Sequence, residues 1–287
     1  MNIVSVYKRF PRQVDCLEYL EEVRWKSQPK CPYCQSTNVT PMPKESRHHC
    51  NNCNTSFSVT VGTIFHKTKI DLQKWFLAIT IILNAKKGVS ARQLARDLEV
   101  NKNTAWYMAM RIRKAMTDDR ELLEGIVEVD ETYVGGKKRR GEDGGPAKRG
   151  RGTSKTPVVG AIERDGKVRA KVVKNVSAKT LMSMIRENID VSTATVITDE
   201  FTGYLPISKF VKHQTINHSK WYSDGDIHTN NIEGFWALLK RGLVGQYHKV
   251  SIRHLQKYVD EFCYRHNNRK NDMVFEETIT RALGGMA

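Results

Sequence analysis

The apolar residues of this chain change their spacing several times, and each change marks an element. Over residues 1–26, Val14, Leu17, Leu20 and Val23 recur at helical spacing with Trp25 closing the run, which predicts a short amphipathic helix. Residues 31–66 lose that period and read as short strands and turns, with SFSVTVGTIF (56–65) the clearest strand. From Asp71 to Met116 the period is helical again. Leu72, Trp75, Phe76, Ile79, Ile82 and Leu83 form one stripe, the breaker Gly88 ends it, and Ser90 with Gln93 opens a second helix as a capping box. A third helix is predicted from about Asn101–Asn103 to Met116, and the polar run TDDREL (117–122) follows as a linker.

Beyond the linker, GIVEVDETYVGG (125–136) is a strand, and residues 137–155 are a Gly/Lys/Arg-rich loop with no apolar period. Residues 158–173 read as a hairpin turned at Asp165-Gly166, 177–188 as a helix, ATVITD (194–199) as a buried strand, and 229–241 and 251–267 as helices. That succession describes an α/β layer fold without internal repeats. The patterns divide the chain into an N-terminal helix with a cysteine-bearing β segment (1–66), an all-α segment (67–120) and an α/β domain (121–287). A chain of 287 residues is expected to form two or three such units.

Charge narrows the partners. Forty-seven Lys and Arg against 31 Asp and Glu give a net charge of +16 and a pI near 9.6, which favours a polyanion. A membrane surface is not expected, because there is neither a lipidation motif nor an apolar run of 18 residues. The opening MNIVSVYKRFPRQVDC lacks the apolar centre of a signal peptide, so a cytoplasmic, reducing location is expected and disulfides are not.

Four of the six cysteines then need another role. Cys31-Pro-Tyr-Cys34 and Cys50-Asn-Asn-Cys53 are two CxxC knuckles 15 residues apart, a spacing that lets two tight turns place four thiolates around one tetrahedral Zn²⁺. The alternative is four unligated core cysteines. A structural ion suits so small a unit, which buries too little surface to fold alone. His48 and His49 lie beside the second knuckle but are not needed as ligands, and Cys16 and Cys263 read as buried small residues on helices.

The run from Gly88 to Met116 has helix-turn-helix spacing: Leu94, Ala95 and Leu98 face inward on one helix, and Ala105, Ala109 and Ile112 on the next. Lys102, Asn103, Thr104 and Tyr107 are then offered at the second helix's N-terminal end as DNA-contacting groups, with Arg111, Arg113 and Lys114 available for phosphates. Trp106 and Met110 are expected in the core. A plain three-helix packing module with a solvated basic face would carry the same pattern.

Carboxylates inside apolar strands are the remaining signal. Phosphodiester chemistry commonly uses two divalent ions about 3.5–4 Å apart held by carboxylates. Asp130 lies mid-strand in IVEVDETYV, with Glu128 on its face and Glu131 on the other, and Asp199 ends ATVITD. Glu233 stands on the helix 229–241 with Lys240 seven residues on, two turns along one face. An ordinary amphipathic helix with Phe235, Leu238 and Leu239 in the core explains the same segment.

At these residues the chain resembles bacterial insertion-sequence transposases with a zinc ribbon and a DDE catalytic domain, the group related to the Merlin transposons. The matching pieces are VDETYVGGKKRRG (129–141), VITDEFTGY (196–204), NHS (217–219), HTNNIEGFWALLKRG (228–242) and YVDEFCYRHNNRK (258–270), in the family's order. The resemblance implies a multidomain protein: zinc ribbon, helix-turn-helix, then a ribonuclease H-like α/β domain with a mixed sheet, Asp130 on its first strand and Asp199 on its fourth. It implies Mg²⁺ or Mn²⁺ held by Asp130, Asp199 and Glu233, and Lys240 on phosphate or a DNA end. Glu128, Asn217 and His218 are secondary candidates. Double-stranded DNA, as transposon ends and as target, is the implied partner, bound by a homo-oligomer at least dimeric, in the bacterial nucleoid. Lys137, Lys138, Arg139, Arg140, Lys148, Arg149 and Arg151 of the basic loop, with Arg241, are expected on its phosphates, and Arg265, Arg269 and Lys270 could extend that track, with Arg265 equally able to pair with Glu261 four residues earlier on its helix. A DNA-binding regulator and a hydrolysis-only endonuclease are the rival functions.

Overall fold

Polar side chains meet the free N–H groups that begin most helices of the N-terminal half. Asn2 accepts from the Ser5 N–H at the head of α1 (Ile3–Arg9), and Asp15 reaches back to Arg12 N–H before α2 (Gln13–Trp25). A three-stranded antiparallel sheet follows, β1 (Val39–Met42), β2 (Arg47–Cys50) and β3 (Thr55–Phe57), in that order. Then come α3 (Leu72–Asn84), α4 (Ala91–Asp97) and α5 (Lys102–Ala115). Gln13 of α2 takes the Leu72 N–H at 2.7 Å, Ser90 caps α4 through Gln93 N–H at 3.2 Å, and Asn101 caps α5 through Asn103 N–H at 2.9 Å. In this computed structural model residues 1–117, 121–136, 153–216 and 228–284 are described.

The strand expected over 56–65 ends at Phe57. Its continuation turns away because its carbonyls are claimed sideways: Arg24 donates to Val59 O and, at 2.8 Å, to Val61 O, and Thr63 Oγ1 donates to Thr60 O. The segment is apolar because Val59, Ile64 and Phe65 are buried, not because it pairs in a sheet.

The second half builds a mixed sheet of β4 (Ile126–Val134), β5 (Thr156–Glu163), β6 (Val168–Val172), β7 (Thr195–Thr198) and β8 (Lys212–Thr215), in the spatial order β6-β5-β4-β7-β8. The first three are antiparallel, whereas β4, β7 and β8 run parallel. The β5–β6 hairpin turns at Asp165, whose φ of 58° is left-handed. Helix α6 (Ala178–Asn188), capped by Ser177, connects β6 to β7 and sets Leu181, Met184 and Ile185 into a core with Val127, Val129, Val159, Ala161 and Val196. Two helices follow, α7 (Asn230–Gly245) and α8 (Ile252–Asn267), and α7 packs on β4 and β5. The 3-10 helix 202–209 and β8 were not predicted, being short and lacking a clear period.

A last helix, α9 (Val274–Leu283), also escaped the pattern, and it packs on α2, α3 and α5. The chain accordingly divides into two compact units, Met1–Met116 with Lys270–Ala287, and Thr117–Arg269. The ribbon, helices α1 to α5 and residues 270–287 share the first of these units. The reason is aromatic: Phe76 meets Phe10 at 4.9 Å and Phe275 of α9 at 5.8 Å, both edge to face.

Candidate functional site

The four knuckle cysteines converge. Their sulfurs all lie within 4.8 Å of one another, with Cys31–Cys53 at 3.6 Å and Cys34–Cys50 at 3.5 Å. Four ligands at the usual Zn–S length of about 2.3 Å stand roughly 3.8 Å apart around a tetrahedral ion, so the set fits zinc. Each knuckle closes on a left-handed residue, Gln35 (φ 63°) and Asn54 (φ 53°), and backbone N–H groups of both turns point at sulfur. The Cys53 N–H is the main cause that draws Cys50 down to about 6. The Ser36 N–H pulls Cys34 the same way, but the neighbouring sulfurs hold a proton on it and push it up to about 12. His48 is buried and bonds Glu21 through Nε2 at 3.0 Å, outside the sulfur set, and Cys16 and Cys263 are buried as expected.

On α5, Lys102 and Asn103 are exposed, Thr104 is half-buried and Tyr107 is 48% exposed. Trp106, expected in the core, is 41% exposed, whereas Met110 is buried. Arg111 lies over the Tyr107 ring at 4.6 Å and donates to Ile64 O and His66 O, and Arg113 is buried. Arg111, half-buried, uses its Nη1 to tie α5 to the turn after β3. Lys114 is exposed. The loop residues Lys137, Lys138, Arg139, Arg140, Lys148, Arg149 and Arg151, and also Asn217 and His218, lie outside the described residues.

The carboxylates gather at the middle of the mixed sheet. Asp130 is central in β4, and Asp199 immediately follows β7, the parallel neighbour. Glu128 pairs with Ile197, so the register carried two residues on sets Asp130 level with Asp199. Glu233 stands in the first turn of α7, exposed, and accepts from Thr229 Oγ1 at 3.1 Å. Asp199 accepts from Phe201 N–H at 3.1 Å. Burial foremost, then the charge of Glu131 and those of Asp199 and Glu233, push Asp130 up to about 7, while the Glu131 N–H opposes them. Lys240 and Arg241 are exposed farther along α7.

Four groups that sequence reasoning passed over or ranked second hold this arrangement. Glu128 is wholly buried, and its carboxylate accepts from Arg164 Nε (3.1 Å), Asn231 N–H (2.9 Å), Asn231 Nδ2 (2.8 Å) and Ile232 N–H (3.2 Å). It is thus an anion at the N-terminus of the helix that carries Glu233. Trp236 donates Nε1–H to Asp130 Oδ2 at 3.1 Å. Gly160, directly opposite Asp130 in β5, makes room for it, since a Cβ there would lie 2.5 Å from the indole. Tyr204 is buried, its phenol pushed well above its ordinary range chiefly by burial, and it donates to Glu131 at 2.9 Å on the opposite face. Only the alternation of Glu128, Asp130 and Glu131 signalled any of this in advance. Of the two roles open to Arg265, the structure shows the pairing with the buried Glu261.

Over residues 122–267 the chain matches the family described as the ISXO2-like transposase domain. It belongs to that family. Residues 11–56 match the transposase zinc-ribbon domain, in accord with the sulfur cluster of the ISXO2-like chain. It is 29% identical over 273 residues, 90% of its length and 92% of the relative's, to an uncharacterized protein in transposable element ISH50 of Halobacterium salinarum. It is 36% identical over 104 residues, 36% of its own length and 82% of the relative's, to an uncharacterized transposase-like protein of Haemophilus influenzae. Among solved structures, a Mos1 transposase paired-end complex with left transposon end is similar at 15% identity and a TM-score of 0.30, over 74% of this chain and 80% of that one. A Mos1 paired end complex with Mg is similar at 14% identity and a TM-score of 0.28, over 73% and 79%. Among the described residues no helix is long and apolar enough to cross a membrane.

Proposed function

We propose that this chain is the DNA transposase of an insertion sequence, that its C-terminal unit is ribonuclease H-like, and that Asp130, Asp199 and Glu233 are its catalytic carboxylates. The observation that carries the proposal is geometric: Asp130 in β4 is level with Asp199 at the end of the parallel neighbour β7, with Glu233 in the first turn of α7, the helix that packs on β4. Burial foremost, and then the charges of Glu131, Asp199 and Glu233, push Asp130 up to about 7. Such mutual repulsion is relieved by divalent cations, and oxygen-only donors suit Mg²⁺ or Mn²⁺. Two bound ions would activate an attacking oxygen and neutralise the leaving one. The chain's own residues supply the rest: the three carboxylates hold the ions, and Lys240 and Arg241 meet DNA phosphate on the exposed face of α7. The outcome is hydrolysis of a phosphodiester at a transposon end, after which the freed 3′-hydroxyl attacks a phosphodiester of target DNA and displaces that strand's own 3′-oxygen, which leaves as a hydroxyl.

The N-terminal unit is assigned to recognition of double-stranded DNA. Its ribbon holds a structural Zn²⁺, and α4 and α5 act as a helix-turn-helix presenting Lys102, Asn103, Thr104 and Tyr107 to the major groove. The basic loop adds phosphate contacts, and a homo-oligomer, at least a dimer, works on paired ends in the nucleoid. The test is a reaction of the full chain with Mg²⁺, a labelled end duplex taken from the DNA flanking the coding sequence, and a plasmid target. Joined product that disappears in Asp130→Ala and Asp199→Ala supports the proposal. Cleavage without joining makes the chain an endonuclease, and end binding with neither reaction makes it a regulator.

A further inference from the structure

Trp236 is 4% exposed, and its surroundings are built around its nitrogen as well as its bulk. The ring lies against Gly160, where any side chain would collide with Cζ2 and Cη2 at 2.6 and 2.5 Å. Gly160 pairs directly with Asp130 across the β4–β5 ladder, so the vacancy left by the missing Cβ is beside that carboxylate. Its helix is held at the N-terminus by buried Glu128, which fixes where residue 236 arrives one turn after Glu233. Packing alone would be satisfied by any large ring. An indole adds a single donor with no lone pair, so it can hold one carboxylate oxygen without competing for a cation. That donor is spent on Asp130 Oδ2 at 3.1 Å.

We infer that Trp236 is a positioning residue: its N–H fixes the rotamer of Asp130 so that the remaining lone pairs are presented to the catalytic cations. The inference rests on the assignment of Asp130 as a metal-binding carboxylate. It also gives Gly160 a specific role, as the gap that admits the indole.

The test compares full-length wild type, Trp236→Phe and Asp130→Ala by Mn²⁺ binding, followed from the electron paramagnetic resonance of free Mn²⁺, by affinity for the end duplex, and by cleavage. A hydrogen bond to a charged group corresponds to roughly a tenfold to hundredfold effect. Trp236→Phe should therefore weaken Mn²⁺ binding by at least about tenfold with end affinity unchanged, and raised Mn²⁺ should restore much of the lost cleavage. Should Trp236→Phe fail to fold, site-specific benzothienylalanine keeps the bicyclic shape with sulfur in place of N–H and should show the same loss. Wild-type Mn²⁺ binding in whichever variant folds, with binding lost in Asp130→Ala, overturns the positioning role alone. Wild-type Mn²⁺ binding and cleavage in Asp130→Ala overturn the metal-site assignment itself, and this inference with it.

Discussion

Replacing Glu128 by Gln tests whether that carboxylate anchors α7 or takes part in the reaction. The side chain is fully buried and accepts hydrogen bonds from Arg164, from Asn231 Nδ2 and from two backbone N–H groups, and His228 Nδ1 lies 3.1 Å away. Glutamine keeps the shape, removes the charge and turns an amide NH₂ toward donors. Breaking one side of a buried ion pair costs about 3–5 kcal/mol, because the donors that converge on Glu128, Arg164 Nε among them, lose the buried charge they point at. The lost anion at the helix N-terminus is part of that figure, on the order of 1 kcal/mol. At roughly 2–4 °C per kcal/mol for a unit of this size, the C-terminal unit should melt about 6–20 °C lower. Calorimetry of the full chain in Mg²⁺-free buffer reads this, with end-duplex affinity as a control. A melting temperature within about 2 °C of wild type, together with abolished cleavage, would refute anchoring and place Glu128 among the reacting groups.

Asp199→Asn should abolish cleavage and leave end binding intact; equal loss of both would make Asp199 a structural residue. Cys31→Ser, or zinc chelation, should unfold the segment around residues 31–53 and weaken end binding several-fold, as protease sensitivity and a mobility shift would reveal. Asp130 is raised in the folded protein to about 7 from an ordinary 3.8, so the folded state binds its proton more tightly. Without Mg²⁺, stability should therefore fall as pH rises from about 4 to 7, by roughly 2–4 kcal/mol. Asp130→Asn should flatten that slope in a pH series of thermal melts, and an unchanged slope would show that another group causes it. Gly160→Ala should cost about 1–3 kcal/mol by overpacking against Trp236, measured by urea unfolding, and a neutral result would mean the indole can move aside.

Features that neighbouring residues control were legible in the sequence. Two CxxC knuckles at close spacing announce the ribbon, because four thiolates can be brought to one ion by two turns. Helical periods placed α3, α4, α5, α6, α7 and α8, and alternation placed Glu128 and Asp130 on one face of β4 with Glu131 on the other. Where burial came without pairing, the same signals misled. Apolar 58–65 looked like strand but is turn, since its carbonyls go to Arg24 and not to a ladder. Trp106 looked like core yet is 41% exposed, and nothing local foretold that Arg111 Nη1 holds Ile64 O and His66 O, 47 and 45 residues away.

How distant residues meet was set by packing. Nothing local links Glu128 to residues 231 and 232, Asp130 to Trp236, or Gly160 to the indole that a Cβ would displace. Those contacts depend on sheet order and on where α7 crosses β4 and β5, which sequence spacing does not encode. Likewise α9 joins the N-terminal unit through Phe275, although it follows the C-terminal unit in the chain. Residue types can name the carboxylates, but packing sets their environment. Burial beside like charges raises Asp130, and burial among donors makes Glu128 an anchor.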